Sequence, residues 1–181
     1  MNTSETSNRT YGRVAGLTFL FYIAAGVTSM ALGSESQVGD VLLLIQSFSA
    51  LVLGATLYAL TYKQGLALAM LALTCRVLEA VQYGESAIYF AVGSLLFSWL
   101  FLRGRMIPTA LAQLGVIASA LLVLILPLQL AGLFGGSMSW SASITWLVWL
   151  PMLVFEVTLA LWLMIKGVNI EQQEKTTLES V

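Results

Sequence analysis

Histidine is missing from the sequence, and cysteine and aspartate occur once each, as Cys75 and Asp40. Without histidine the chain cannot form a histidine-ligated haem site, a zinc-hydrolase site or a serine–histidine dyad. A single cysteine excludes an intramolecular disulfide and a CxxC redox motif, and a single aspartate excludes a paired aspartyl mechanism. We therefore predict no catalytic residue, no metal site and no cofactor.

Charged residues are also scarce. They make up 9% of the 181 residues, against about 25% in a soluble domain. Hydrophobic residues make up 59%, and the mean hydropathy is +0.89. Apolar runs of about 18 residues or more recur along the chain, and each is long enough to cross a bilayer as a helix. The composition predicts a lipid bilayer as the main partner, and no basic patch suggests nucleic acid.

Short polar or glycine-containing breaks divide the apolar sequence into six runs. They predict an all-α, polytopic membrane protein with six transmembrane helices at 13–33, 40–62, 66–83, 86–102, 108–132 and 140–165. We expect a mobile cytoplasmic N-terminus at 1–12, a six-helix transmembrane domain at 13–166 and a mobile cytoplasmic tail at 167–181. Pro108 suits a first helical turn, whereas Pro127 predicts a kink or local unwinding.

The basic residues predict the orientation. Seven of the eight lie at alternate ends of the predicted spans: Arg9, Arg13, Lys63, Arg103, Arg105, Lys166 and Lys175. The loops on the other side contain acidic residues only: Glu35, Asp40 and Glu85. Because basic residues favour the cytoplasmic side, both termini are predicted to be cytoplasmic. A competing interpretation takes residues 1–33 as a signal peptide, but their apolar stretch is about twice as long as a typical signal core.

Three charged residues lie within the predicted spans. Arg76 and Glu79 share a face of the third helix at i,i+3 spacing, and Glu156 lies in the sixth at a depth similar to that of Arg76. A charge at the centre of a span costs about 2.5–3.5 kcal/mol, so we expect all three to face the interior and find each other. This requires the third and sixth helices to be neighbours. If all three are ionised, one negative charge remains to be balanced.

This surplus charge leaves two interpretations open. The cluster can simply lock the helix register, with the surplus met by Gln82, Tyr83, Tyr22 or Gln46. Alternatively it lines a polar cavity that binds a proton, a cation, an amine or a polar headgroup. The candidate binding residues are Arg76, Glu79, Glu156, Tyr83, Tyr22 and Gln46.

A weak internal similarity relates the two halves of the chain. A shift of about 77 residues aligns Ala15-Gly16-Leu17 with Val92-Gly93-Ser94, and it superimposes Glu79 on Glu156. A three-helix unit followed by its copy is necessarily inverted in the membrane, as in many secondary transporters. The similarity therefore predicts an inverted three-helix repeat.

Three functions are compatible with these residues. The first is binding or transport of a small solute, a proton or cation, or an amphipathic molecule through the Arg/Glu cluster. The second is a non-transporting subunit that associates with a partner membrane protein or with further copies of itself. The third, which the missing residues disfavour, is an enzyme acting on lipids.

Segments in four of the predicted spans carry a resemblance to a known family. They are Arg13-Val-Ala-Gly-Leu-Thr-Phe-Leu, Arg76-Val-Leu-Glu79-Ala, Arg105-Met-Ile-Pro108, and Pro151-Met-Leu-Val-Phe-Glu156 with Leu161-Trp162-Leu163 and Lys166-Gly167 after it. With these segments most of the chain resembles the bacterial multi-pass membrane proteins catalogued as domain of unknown function 4386. The resemblance implies a protein of the bacterial inner membrane, and it transfers no activity, cofactor or substrate.

Overall fold

The computed structural model describes residues 3–32, 36–82, 86–133 and 143–168, and every regular element in these ranges is helical. The helices are α1 (Thr3–Leu32), α2 (Gln37–Thr61), α3 (Leu66–Val81), α4 (Ser86–Arg103), α5 (Thr109–Leu130) and α6 (Ser143–Ile165). A single 3₁₀ turn, Tyr62–Gln64, precedes α3. The predicted all-α class is therefore confirmed for the described residues.

The observed helix bounds lie close to the predicted ones, except at the start of the chain. Helix α1 begins at Thr3 instead of residue 13, because helix propagation into water needs no apolar side chain once the span has formed. Helix α5 runs through Pro127 to Leu130 without unwinding at the proline, and Pro108 directly precedes its first residue. The predicted corner at residues 83–85 and the predicted start of the sixth span at residue 140 lie outside the described residues.

Local hydrogen bonds explain where the second helix begins. Ser36 has an extended backbone, and its hydroxyl accepts a hydrogen bond from the amide of Gly39 at 3.3 Å. Such a cap satisfies one of the amides that have no partner within the helix. Asp40 in the first turn places a negative charge near the positive end of the helix dipole. Ser29 of α1 donates to the Gly39 carbonyl at 3.2 Å, which ties this turn to the preceding helix.

Helices α4 and α5 end in the same hydrogen-bonding pattern with different residues at its centre. After α5, Gly132 adopts a φ of +85°, and Leu133 donates to the Leu128 carbonyl at 3.0 Å. After α4, Arg105 adopts a φ of +47°, and Met106 donates to the Phe101 carbonyl at 3.1 Å. Glycine adopts this left-handed conformation without steric cost, whereas the Cβ atom of an arginine makes it sterically unfavourable.

The six helices form a closed ring. Each packs against the next one in the chain, and α6 packs against α1. Gly16 permits the closing contact, because a methyl group added there would lie 2.6 Å from the Ala160 carbonyl oxygen. Helices α3 and α6 are not among the packed neighbours, so the expectation that they are adjacent is wrong. Two helices separate them in either direction around the ring.

The outer surface of the ring is apolar. Each helix exposes at least one large apolar side chain, as shown by Phe21, Phe48, Met70, Trp99, Leu124 and Leu147. Among the described residues, five helical segments are long and apolar enough to cross a membrane: Arg9–Leu32, Gln37–Gln64, Ser86–Arg103, Thr109–Leu130 and Leu147–Ile165. Helix α3 has 16 residues, which corresponds to a length of about 24 Å.

The left-handed conformation of Arg105 generates the first prediction. Replacing Arg105 with glycine removes the steric cost of positive φ and should raise the free energy of unfolding by about 1 kcal/mol. Replacing Arg103, which is helical, with glycine should lower it by about 1 kcal/mol. Both variants lose one positive charge from the same end of α4, so each is the electrostatic control for the other. Denaturant unfolding in detergent measures both values, and a loss of stability in Arg105→Gly contradicts the proposed strain.

Candidate functional site

Arg76 lies at the centre of the candidate site, in the interior of the ring. Its side chain is 1% exposed, and it is the largest of the fully buried side chains. Helix α3 turns Ala69, Ala72, Arg76 and Glu79 inward, which is the spacing of one helix face. A methyl group added at Gly54 of α2 would lie 2.8 Å from the Arg76 Cβ atom. The aliphatic part of the arginine therefore packs directly against the backbone of the neighbouring helix.

The guanidinium group of Arg76 has partners on two helices. Nη1 donates to Glu79 Oε2 at 2.9 Å within α3, and Nη2 donates to Ser94 Oγ of α4 at 3.0 Å. Its carbon atom lies 4.9 Å from the centre of the Phe90 ring and 6.0 Å from the centre of the Tyr22 ring. Cation–π attraction is strongest when the groups are removed from water, as they are here. The arginine is thus stabilised by a carboxylate, a hydroxyl and two aromatic rings.

The carboxylate of Glu79 is fully engaged. Oε2 accepts from Arg76, and Oε1 accepts from the hydroxyl of Tyr22 in α1 at 2.6 Å. The ion pair is buried, with side-chain exposures of 1% for Arg76 and 6% for Glu79. We name Tyr22, Arg76, Glu79 and Ser94 the Arg76 cluster. It joins α1, α3 and α4, and its charges cancel.

Glu156 lies apart from this pairing. It is 5% exposed, and its Oε1 atom has no hydrogen-bond partner. The other buried side-chain polar atom without a partner in the described residues is Nε of Arg76. Arg76 and Glu79 are close enough for their charges to act on Glu156, but the single ion pair in this part of the chain is Arg76–Glu79. The expectation that all three charges pair is therefore met by two of them only.

Three aromatic rings form a row beside the cluster. The rings of Tyr22 and Phe90 stack with centres 6.2 Å apart, and those of Phe90 and Trp149 stack with centres 5.6 Å apart. The row links α1, α4 and α6 across the interior. Trp149 precedes Glu156 by two helical turns, so both lie on one face of α6 about 10 Å apart along its axis. A buried carboxylate oxygen without a partner and one end of the aromatic row thus lie on the same face of α6.

The structure brings together four of the six predicted site residues. Tyr22, Arg76 and Glu79 are in direct contact, and Glu156 is near them without a hydrogen bond to them. Gln46 is elsewhere, packed against Gly26 where α1 meets α2. Tyr83 lies outside the described residues.

The sequence did not predict the roles of Ser94 and Phe90 of α4. It also did not predict that Gly54 and Gly93 lie close to the side chains of Arg76 and Cys75 of α3. Gly93-Ser94 was part of the repeat alignment, but a serine within an apolar span usually satisfies its own helix. The position of Ser94 along its predicted span could have indicated this role, since Ser94 lies about as far into its span as Arg76 does. Nothing in the sequence distinguishes Phe90 from the other phenylalanines that face the interior.

Long apolar helices around a charged interior define a polytopic helical membrane protein. The sequence profile of the family described as Domain of unknown function (DUF4386) matches residues 82–167, just under half of the chain, and this match supports membership in the family. The match covers α4 to α6 and includes Ser94 and Glu156, but it does not include Arg76 and Glu79. No curated protein and no solved structure matches the chain significantly.

The unequal pairing of the two glutamates predicts unequal effects of the same substitution. Glu79→Gln leaves Arg76 as a buried charge without its carboxylate and should lower the free energy of unfolding by about 3–5 kcal/mol. Glu156→Gln removes no ion pair and should change it by less than about 1 kcal/mol. Denaturant unfolding of both variants in the same detergent provides the measurement. Equal losses would mean that Glu156 shares the arginine.

Proposed function

We propose that all six helices cross the membrane, with both chain ends on the cytoplasmic side. The contact between two connections supports the count, because a methyl group added at Gly104 would lie 2.6 Å from the Gln64 side chain. Gln64 precedes α3 and Gly104 follows α4, so these two helices leave one end of the bundle and return to it. Gly12 of α1 likewise lies beside Gly167, which follows α6.

The shortness of α3 does not oppose this proposal. A helix of about 24 Å is several ångströms shorter than an average hydrocarbon core, and local thinning of the bilayer costs only a fraction of a kcal/mol per ångström. The basic residues Lys63, Arg103 and Arg105 lie at the same end of the bundle, which the positive-inside rule assigns to the cytoplasm. We further propose the bacterial inner membrane as the location. The inverted repeat stays a prediction.

The topology predicts the location of both chain ends. A fluorescent protein that folds only in the cytoplasm should be fluorescent when fused to either terminus. A periplasm-dependent phosphatase fused in place of the chain after residue 85 should be active, and one fused after residue 104 should be inactive. Fluorescence at one terminus only would mean an odd number of spans.

We propose that the protein is a carrier or binding protein that takes up a proton or a cation at Glu156. The observation that carries this proposal is the buried Oε1 atom of Glu156, which has no partner while Arg76 is engaged with Glu79. An ionised carboxylate is unfavourable in an apolar interior unless a charge of opposite sign accompanies it. Glu156 therefore binds a positive species whenever the bundle is closed.

The paired charges support the same proposal. Arg76 is ion-paired with Glu79, so its charge does not neutralise Glu156, and a proton or another cation has to do so. Buried carboxylates of this kind mark proton and ion pathways in membrane proteins. A non-transporting subunit and a lipid-acting enzyme stay hypotheses, because no contact within the described residues bears on a partner protein or a reaction.

Proton uptake at Glu156 is testable in vesicles. Infrared difference spectra of the reconstituted protein should contain the carbonyl band of a protonated carboxylic acid, and the band should disappear in Glu156→Gln. Acid-driven proton flux, followed with an internal pH dye, should fall at least about tenfold in the same variant. Asp40→Asn, which alters an exposed carboxylate, should leave the band and the flux unchanged.

A structural role for Glu156 would give the opposite result. If Glu156→Gln retains the band and the flux of the parent protein, Arg76, Glu79 and Glu156 only fix the helix register. The stability comparison with Glu79→Gln then shows which of the two glutamates stabilises the bundle.

A further inference from the structure

Glu156 has no oxygen-bearing side chain beside it on the buried face of α6. Its neighbours on the buried face of α6 are Met152, Phe155 and Leu159, each no more than 3% exposed. They offer a thioether, an aromatic ring and an aliphatic chain, and the Ser119 hydroxyl on α5 donates to the Met152 sulfur at 3.7 Å. Within the described part of the chain, no group of three or more His, Cys, Asp or Glu side chains forms a metal site.

This donor set does not suit a hard metal cation. Such ions are held by about six oxygen atoms from carboxylates, carbonyls or water. An ammonium group requires less, because a single carboxylate balances its charge and aromatic faces attract it in place of water. One carboxylate with a free oxygen and a set of aromatic rings is what the interior around Glu156 provides.

The aromatic row extends this site along α6. Trp149 lies two turns before Glu156 on the same helix face, and Met152 lies between them. Phe90 is 3% exposed, whereas Trp149 and Tyr22 at the two ends of the row are half-buried. A molecule would have to be about 10 Å long to span the distance from the carboxylate to the indole ring along this face of α6.

We infer that Glu156 binds an organic ammonium ion whose hydrocarbon or aromatic part lies along Met152 and Trp149. The inference rests on the proposed function of Glu156 and adds the chemical class of its ligand. The ammonium group donates to Oε1 of Glu156, and it balances the negative charge of Glu156, which the Arg76–Glu79 ion pair does not neutralise. The stacked rings contribute affinity for the apolar part of the ligand.

Ligand and proton compete for the same carboxylate. When the ammonium ion binds to the protonated protein, the carboxylic acid of Glu156 releases its proton to solvent and the ammonium ion takes its place. One proton is released for each ligand bound, and the net charge of the interior does not change. This exchange is the elementary step by which a carrier couples the movement of an organic cation to that of a proton.

Calorimetric titration of the purified full-length protein in detergent tests the inference. The probe is 2-phenylethylammonium, and its control is 2-phenylethanol, which has a similar shape without the charge. We expect the ammonium probe to bind at least about tenfold more tightly than the alcohol, with one proton released per probe in weakly buffered solution. Glu156→Gln should abolish both the preference and the proton release.

A second pair of variants tests the aromatic wall. Trp149→Leu should weaken binding of the ammonium probe about 2- to 12-fold, which is the range expected for loss of a contact between two aromatic rings. Trp162→Leu alters a half-buried tryptophan of the same helix far from the row, and it should leave the affinity unchanged. Thermal unfolding of both variants shows whether they remain folded.

The outcomes separate this inference from the proposed function. If the infrared band of Glu156 is present but the ammonium probe binds no better than the alcohol, the ammonium site is wrong and proton binding at Glu156 stands. If the preference for the ammonium probe survives Glu156→Gln, the ligand lies elsewhere and the inference is also overturned. If the band is absent and the flux is unchanged in Glu156→Gln, the proposed proton function itself fails.

Discussion

The ion pair between Arg76 and Glu79 constrains four of the six helices. A guanidinium group in an apolar interior needs its charge balanced and its N–H groups engaged, and α3 supplies the carboxylate one turn away. Ser94 of α4 accepts a hydrogen bond from the arginine, and Tyr22 of α1 donates one to Glu79. Gly54 of α2 lets the arginine pack against its backbone. Any displacement of these helices breaks a buried polar contact, so the pair fixes their relative positions.

The same constraint separates the roles of two otherwise similar glutamates. Glu79 has no free acceptor atom, because each oxygen already receives a hydrogen bond. Glu156 is equally buried but retains an oxygen without a partner, beside hydrophobic and aromatic side chains. We therefore propose that ligand binding depends on Glu156 and that stability depends on Glu79. The proposed site combines a rigid ion pair with one acid that has an oxygen without a partner.

Much of this arrangement is predictable from sequence because the bilayer limits the alternatives. Apolar runs determine the helices, and the cost of buried charge identifies Arg76, Glu79 and Glu156. The partners across helices are not predictable in this way, since Ser94 and Phe90 depend on the order and rotation of the helices in the ring. The expected contact between α3 and α6 is wrong because each helix packs against its neighbours in the chain and the ring closes between α1 and α6, so α3 and α6 lie on opposite sides of it.

The chain order of the partners has a consequence for biosynthesis. Helices emerge from the ribosome from the N-terminus onward, so in the proposed topology Arg76 enters the bilayer before α4, α5 and α6 exist. Glu79 is on the same helix and Tyr22 on an earlier one, so the arginine is neutralised from the moment of insertion. Glu156 is inserted last, into a bundle whose one buried cation already has its carboxylate. The pairing observed in the folded protein is thus also the pairing that the order of synthesis favours.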